Sequence, residues 1–533
     1  MGPDLPPIPP EAAPQVVMVA PAKQAAEPIV VESHDYRYVV SGNALLAPEI
    51  IVTTLAAAET PKDAVESLNQ AYRKAGYLLT ALRAAVDGKR VAIQVIHGRI
   101  TEEDLTPSLA AFYAGIEGRE DLDRNTLIRK SALAENYAAR QGVRPKVNFA
   151  PAQEVGGSKI IVTEEPIEGA KPWNAGLGFN NLGSRYSSRY VAQGNAAVRP
   201  GAGTELTATY TQGLPGLAQE SAGSLYHAGG IGASIVTPWG LYGASYTNTQ
   251  YLIGEALRDP NNPEQLLHPD GDITTWGFNG TQLAFANETA RWTFAESFAY
   301  TDNYAFVTLG DQAVVTQDQH YGVLAVGTNF SNSFAVLGEN ASFSAGLTVS
   351  KGLSPHSGTF LPRLPETPVE PGAPTPRFTL IQGTLSYTQP LPMGYSAGLT
   401  WTGQWADATL PQNQQWVLGG FGNLTAYMPA VLVGDNGTLA RASLYTPPWQ
   451  WSGLSVTGGA FVEAGMVRPH YSREGTPVAR GLGDAGLSLS GSMKAGTSLT
   501  LAYAWPLWSR NLDQKALDEL SRAHLYFSLN QTF

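Results

Sequence analysis

The chain has 533 residues, a net charge of −11 and an isoelectric point of about 5.3, so it lacks the basic footprint that nucleic-acid binding requires. It contains no cysteine, which excludes disulfide scaffolds, cysteine-based zinc sites and thiol chemistry. No apolar run approaches the roughly 18 to 20 residues of a membrane-spanning helix.

Residues 1–34 are rich in proline and alanine, as in PDLPPIPPEAAP, and predict an extended linker that is too rich in proline for a long helix. The opening MGPDLPPIPP also lacks the basic and apolar regions of a signal peptide. We therefore expect either a cytosolic protein or a mature chain whose signal has been removed, and the residues after 170 favour the mature chain.

Residues 35–100 predict a small α+β domain. The segment YRYVVSGN alternates like a strand, and TPKDAVESLNQAYRKAGY follows with the marks of a helix. Thr60 is the expected N-cap of this helix and Gly76 its stop. RVAIQVIHG then predicts another strand, because its apolar residues alternate.

Residues 101–169 repeat this scheme and predict a second α+β domain. NTLIRKSALAENYAARQG has a helical pattern with Asn125 as the expected cap and Gly142 as the stop. PKVNFA and SKIIVTEE are the predicted closing strands.

From about residue 170 the sequence consists of segments of about ten residues in which large apolar and small polar residues alternate. In YSAGLTWTGQW, for example, Leu399 and Trp401 alternate with Thr400 and Thr402. Small polar inner faces cannot form the dry core of a soluble all-β domain, which is the alternative interpretation. An apolar outer face, a polar inner face and aromatic ends are instead typical of a transmembrane β-barrel.

Sixteen such segments can be counted, and an even number is typical of bacterial barrels. They cover residues 173–180, 188–198, 203–212, 224–237, 239–251, 272–285, 290–302, 319–330, 333–350, 376–388, 394–405, 438–446, 453–466, 480–491, 495–505 and 522–533. Turns after even-numbered segments are short (TPWG, SNS, QPLPMG, SMKAG), and most other connections are longer, such as 252–271, 351–375 and 406–437. Short periplasmic turns and long outer loops are expected in such barrels, which predicts a periplasmic location for the two α+β domains.

The chain ends LYFSLNQTF, an amphipathic strand that finishes on an aromatic residue. Its predicted outward-facing residues are Leu525, Phe527, Leu529 and Phe533. Such an ending resembles the C-terminal assembly signature of bacterial outer-membrane proteins.

Two small α+β domains followed by a sixteen-stranded barrel resemble the TpsB-type two-partner secretion transporters, members of the outer-membrane superfamily that joins POTRA domains to a barrel. SGNALL, LNQAYRKAGYLL and VIHGRI are similar to the first POTRA domain of that family, and GREDLDRNTLIRKSAL with KVNFAP is similar to the second. KPWNAGLGFNNLGSRYSSRYVAQG resembles the start of the barrel. The resemblance implies an outer-membrane pore whose periplasmic POTRA domains capture an unfolded exoprotein, which crosses in extended form.

The resemblance also singles out the connection 406–437, because in this superfamily the sixth outer loop folds back into the barrel. The family motif at the loop tip ends Arg-Gly-Tyr or Arg-Gly-Phe, whereas Thr425 and Ala426 stand here where Arg and Gly are expected. The candidate loop residues are Gly419, Gly420, Gly422, Leu424, Thr425, Ala426, Tyr427, Pro429, Gly434 and Asp435. In the family an Asp of the inner wall, in a Phe-x-Asp-x-Gly pattern, binds the Arg. The corresponding residues are Phe461, Glu463 and Gly465.

Without the arginine, Thr425 can offer the wall at most one neutral hydroxyl bond, on the order of 1 kcal/mol. We nevertheless expect the loop to enter the lumen and to be its main obstruction. It would be held by the packing of Leu424 and Tyr427, together with a hydrogen bond or a substitute cation for Glu463.

Two other functions remain open: a barrel-assembly or insertion factor of the same superfamily, and a diffusion porin, which would not need residues 35–169. GYSAG matches the Gly-x-Ser-x-Gly nucleophile motif but lies in a predicted strand, and the histidines are scattered, so we expect no catalytic residue, metal or cofactor. The expected partners are the secreted exoprotein, outer-membrane lipid and lipopolysaccharide, and the barrel-assembly machinery during biogenesis. Nucleic acid is not expected.

Overall fold

The structure is a computed structural model that describes residues 27–533 apart from 120–121, 155–156, 184–187, 218–222, 254–256, 259–265, 310–311, 355–359, 362–371, 473–474, 476–477 and 513–524. It contains two small α+β domains followed by a closed β-barrel. Among the helices of these residues, none is both long and apolar enough to cross a membrane.

The first domain packs two helices against a four-stranded sheet. Its elements are β1 Ile29–Ser33, β2 Tyr36–Ser41, α1 Pro48–Ala56, α2 Pro61–Lys74, β3 Thr80–Asp87 and β4 Arg90–His97. The strand order is β1-β2-β4-β3, and β2 and β4 run parallel. Helix α2 begins where the sequence predicts, since the Thr60 side chain accepts a hydrogen bond from the Asp63 amide.

The predicted linker over residues 1–34 extends too far along the chain, because β1 pairs with β2. Burial of Val31 in the core of the first domain favours a strand in place of extended linker. The rest of the predicted linker, residues 1–26, lies outside the described residues.

The second domain has the elements β5 Arg99–Leu105, α3 Ala110–Tyr113, α4 Arg124–Ala139, β6 Val143–Pro151 and β7 Gly157–Pro166. The strand order is β5-β7-β6. The predicted cap Asn125 is wrong, because the Asp123 side chain accepts a hydrogen bond from the Thr126 amide at 2.5 Å. Asp123 is the N-cap because it lies just outside the helix in an extended conformation, from which its side chain can accept hydrogen bonds from the free amides of the first turn. Gly142 follows the helix with a φ of 74°, as a stop requires.

The barrel consists of sixteen antiparallel strands, which confirms the sequence prediction. They are β8 Trp173–Asn180, β9 Val191–Gly201, β10 Thr204–Gly213, β11 Gly223–Thr237, β12 Gly240–Ile253, β14 Leu266–Ala286, β15 Ala290–Leu309, β16 Gln312–Val336, β17 Glu339–Leu353, β19 Thr379–Pro390, β20 Ser396–Ala406, β23 Asn436–Tyr445, β25 Leu454–Arg468, β26 Arg480–Met493, β27 Thr497–Arg510 and β28 Leu525–Thr532. Short strands β13 Leu257–Arg258, β18 Phe360–Leu361 and β24 Trp449–Trp451 extend the sheet, and β21 Trp416–Leu418 with β22 Leu432–Gly434 form a separate hairpin. Pairing of β28 with β8 closes the barrel.

The barrel strands have an apolar outer face and a largely polar inner face. On β20, for example, Leu399, Trp401 and Trp405 are exposed on the outside, where lipid would cover them. A cavity of about 470 Å³ lies between helix α4 and the barrel wall, and its lining includes Leu133 of α4 together with Thr293 and Asn329 of the wall. The polar wall residues in this lining suit an aqueous lumen.

One predicted turn is wrong. The sequence predicts the turn after β16 at SNS, residues 331–333, but these residues continue the strand and pair with Ser342–Ser344 of β17. The turn is at Leu337 and Gly338, whose φ values are 55° and 81°. Two-residue hairpin turns with both central residues at positive φ match the twist of the strands, and Gly338 adopts this conformation without strain.

Helix α4 of the second domain lies against the end of the barrel that carries the short turns. The Arg140 guanidinium donates hydrogen bonds to the carbonyl oxygens of Gly203 at 2.9 Å and Ser234 at 3.1 Å. Val236 and Leu241, from one short hairpin of the barrel, are buried in the core of the second domain. The second domain and the barrel therefore share a packed interface.

Candidate loop-anchoring site in the barrel lumen

The connection between β20 and β23 folds into the barrel and packs against its inner wall. Leu424 and Tyr427 at its tip are 0 % and 3 % exposed. The wall residue Phe461 is buried beneath them, whereas its neighbour Val462 is 51 % exposed on the outer face. The apolar cluster comprises Leu418, Leu424, Ala426, Tyr427 and Leu432 from the loop and Phe461, Val467, Leu482, Ala502 and Ala504 from the wall.

The base of the loop is fixed by a buried aspartate. The carboxylate of Asp435 accepts hydrogen bonds from the amides of Leu410 at 2.8 Å and His470 at 2.7 Å. Gln404 of β20 donates to the Asp435 carbonyl oxygen at 3.1 Å. Both ends of the loop are thereby tied to the barrel before the tip begins.

The ascending part of the loop contacts a different part of the wall. Leu410 is buried in a cluster with Tyr321 of β16 and Phe378, which precedes β19. Gln317 of β16 donates a hydrogen bond to the Gln412 side chain at 2.9 Å. Since the tip packs on β25 and β26, the loop crosses the lumen between two separate stretches of wall.

At the tip, the main chain binds two carboxylates of the wall. Leu424 has a φ of 68°, in the left-handed region. The next two amides point at the wall: Thr425 donates to Glu463 Oε2 at 2.7 Å and Ala426 to Asp484 Oδ2 at 2.6 Å. Successive amides beside a left-handed residue form an anion-binding concavity, and hydrogen bonds to a carboxylate are stronger than neutral ones.

The cation opposite Glu463 comes from the barrel wall. Arg441 Nη1 of β23 donates to Glu463 Oε1 at 2.6 Å, and the guanidinium lies 4.2 Å from the centre of the Phe461 ring. Arg441 is the direct cross-strand partner of Glu463, and Glu463 is that of Asp484. The three charged residues therefore form a row across β23, β25 and β26.

Glycines shape both the tip and the wall. Gly419, Gly420 and Gly422 have φ values of 105°, 104° and 73°, which bend the chain into the tip. A Cβ on Gly465 would lie 3.0 Å from both terminal methyl carbons of Leu418, so the wall glycine makes room for the loop. Pro429 borders Gly420, and Gly434 of β22 passes close to the backbone of Arg468 at the end of β25.

The sequence model of the family described as haemolysin secretion/activation protein ShlB/FhaC/HecB matches residues 156–490. The chain belongs to this family. CdiB from Escherichia coli has a similar structure, with a TM-score of 0.71 and 16% identity over 98% of this chain and 94% of that chain. For CdiB from Acinetobacter baumannii the TM-score is 0.65 and the identity 13%, over 96% of this chain and 91% of that chain. No curated protein sequence matches the chain.

At these identities the structural likeness shows a common fold, and family membership makes the chain a two-partner secretion transporter of the outer membrane. The two N-terminal domains correspond to the POTRA domains of that fold.

In this transporter the Thr425 hydroxyl does not bind the wall. It accepts a hydrogen bond from the Gly422 amide at 3.0 Å, inside the loop, while the Thr425 amide reaches Glu463. The sequence points only to the hydroxyl, because side-chain motifs carry no information on where amides point. The wall motif also gives no sign of Arg441 and Asp484, although Arg441 is the only charged residue of β23, whereas β26 carries Arg480 as well as Asp484.

The C-terminal strand presents the predicted outward residues. Leu525, Leu529 and Phe533 are about half exposed, and the Phe527 ring lies 5.4 Å from that of Phe179 on the first barrel strand. Tyr526 points the other way, into the lumen, and its hydroxyl donates to the Tyr427 carbonyl oxygen at 2.8 Å. The last strand thus contributes to the site through a residue that the sequence analysis did not single out as a site residue.

Proposed function

We propose that this transporter is a translocation pore that captures an unfolded exoprotein with its POTRA domains and secretes it through the barrel. The observation that carries this proposal is the loop across the polar lumen, tied to the wall by neutral main-chain donors. Such a segment closes the pore at rest and can be withdrawn without moving a charge. The proposed activity is transport without a catalytic step.

The POTRA domains would lie in the periplasm and the long loops outside the cell. Docking of α4 at the end with the short turns supports this orientation, because short turns face the periplasm in outer-membrane barrels. Outer-membrane lipid and lipopolysaccharide would cover the apolar outer face. The barrel-assembly machinery would recognise the C-terminal strand during biogenesis.

Capture would proceed by strand addition to the first POTRA domain. Among the described residues, its edge strand β3 pairs with β4 on one side only, and residues from Arg83 to Asp87 are exposed. An exposed edge offers main-chain donors and acceptors to any extended chain, which gives affinity without a strict sequence requirement. Folding of the exoprotein outside the cell would then give the transport its direction.

Site-specific photo-crosslinking tests this proposal. A photoreactive residue at Ala85 in β3 is expected to trap an exported protein in secreting cells, whereas one at Glu66 on α2 serves as a control away from the edge. Trapped precursors of outer-membrane barrels would instead indicate an assembly factor. Deletion of residues 35–169 is expected to abolish secretion with the barrel intact, and normal solute flux without a secretion defect would indicate a porin.

A further inference from the structure

The junction between the last and first barrel strands has little main-chain pairing. β28 pairs with β8 only from Ser528 opposite Asn180 to Thr532 opposite Gly176. Over the described residues this is the shortest of the sixteen junctions that close the barrel, and the next shortest, between β27 and β28, pairs Thr497–Tyr503. Among the described residues, fewer paired residues hold this seam than hold any other pair of neighbouring barrel strands.

Asn181, the first residue after β8, continues the seam with its side chain. Its carboxamide donates to the Leu525 carbonyl oxygen at 2.9 Å and accepts from the Phe527 amide at 2.7 Å. Its own backbone amide donates to the Phe527 carbonyl oxygen at 3.3 Å. A carboxamide carries the same donor and acceptor as a peptide group. The side chain of Asn181, which is 4 % exposed, therefore continues the pairing with β28 beyond the end of β8.

The tip of the lumen loop contacts both sides of this seam. On the β28 side, Tyr526 is 1 % exposed, donates to the Tyr427 carbonyl oxygen and lies 6.1 Å, ring to ring, from Phe421. On the β8 side, Leu182 follows directly after Asn181 and packs in one apolar cluster with Met428 and Tyr526. The docked loop therefore braces the seam from within the lumen.

We propose that the loop tip and the Asn181 clasp together hold the barrel seam, so that withdrawal of the loop loosens the pairing of β28 with β8. The contacts of the tip with Tyr526 and Leu182 exist only while the loop is docked, so they stabilise the paired seam in that state alone. Coupling of this kind is reciprocal: a loosened seam also weakens docking of the tip. This inference does not depend on the identity or the passage of an exoprotein.

Amide hydrogen exchange of the full chain in lipid nanodiscs tests the coupling. Replacing residues 420–429 by a short Gly-Ser linker is expected to accelerate exchange of the Leu529 and Gln531 amides, with β14 and β15 unchanged. These two amides point across the seam, as do those of Phe527 and Phe533. Tyr526→Phe, which removes one hydrogen bond, is expected to accelerate it about fivefold. Tyr387→Phe is the matched control, because it removes a similar bond, to Gln389, far from the seam.

Unchanged exchange at β28 after loop replacement would overturn the proposal, and so would equal acceleration in all strands. Asn181→Ala should act like Tyr526→Phe, whereas Asn329→Ala on β16 should have no effect on the seam. A seam disulfide provides a second test, since the chain has no native cysteine. In Gly178→Cys/Asn530→Cys, a directly opposed pair, oxidation should restore slow exchange to the loop-replaced protein, and continued fast exchange would contradict an opened seam.

Discussion

Arg441→Met is expected to release the loop from the lumen. Glu463 is 0 % exposed and Arg441 is 16 % exposed, so the substitution leaves a buried carboxylate without its cation, beside Asp484 and bound by the Thr425 amide. Removing one partner of a buried ion pair costs about 3 to 5 kcal/mol. The lumen is wet, so the lowest-energy response is for the tip to move away and let water reach Glu463. A change of about 3 kcal/mol corresponds to roughly a hundredfold shift from the docked to the withdrawn loop.

Single-channel conductance in planar bilayers measures this shift as the fraction of time spent in the open state. Arg441→Lys is the control that keeps the charge, and it should change the open fraction much less. The double variant Arg441→Met/Glu463→Gln should also return towards the original behaviour, because a glutamine oxygen can still accept from the Thr425 amide and position 463 no longer carries an unpaired charge. Equal open fractions in Arg441→Met and the double variant would refute the charge argument. An unchanged open fraction in Arg441→Met would refute the role of Arg441.

Three further outcomes are expected. Gly465→Val should also raise the open fraction, because even a Cβ at this position would lie 3.0 Å from the methyl carbons of Leu418 in the loop. Overpacking of this kind costs about 1 to 3 kcal/mol. Gly491→Ala on β26 is the control and should have little effect. Burial raises the pKa of Glu135 on α4 to about 7 although Arg291 opposes the shift, so docking of α4 should weaken as the pH rises from about 4.5 to about 7. Glu135→Gln should remove this dependence, as measured by limited proteolysis of the second domain at each pH. Arg140→Ala removes both guanidinium hydrogen bonds to the barrel carbonyls of Gly203 and Ser234 and should weaken the same docking by about 1.5 to 3 kcal/mol, as measured by urea-dependent proteolysis.

The barrel could be predicted from the sequence because apolar and polar residues alternate along each strand and so identify its outer and inner faces. Helix α1 could not, because PEIIVTTLA is rich in β-branched residues that favour strands. It is helical because Ile51 and Leu55, spaced four residues apart, are both buried in the domain core. Here tertiary burial overrides local propensity.

The row of charged residues formed by Arg441, Glu463 and Asp484 shows a different limit of prediction from sequence. Alternation places Arg441 and Glu463 on the inner faces of their strands. An inward-facing arginine could therefore be predicted from the sequence as a partner for the wall carboxylate. Which residues stand opposite each other depends on the register between β23 and β25, and that register depends on the connection 446–453, which contains β24, and not on either strand alone. The direction of the Thr425 amide depends on the left-handed conformation of Leu424, which a leucine rarely adopts and no sequence pattern indicates.

The position of the arginine determines what loop withdrawal leaves behind. If the cation belonged to the loop tip, withdrawal would carry a charge through the lumen and leave Glu463 without its partner. With Arg441 in β23, the ion pair stays in the wall, and the loop takes away only two amide donors and apolar side chains. In the proposed transport cycle, the barrier to opening would then be set mainly by the burial of Leu424 and Tyr427, which an exoprotein in the lumen would offset by covering the same apolar wall. The substitution of Thr425 and Ala426 for an Arg-Gly pair is therefore consistent with a loop that docks firmly and is exchanged without separating charges.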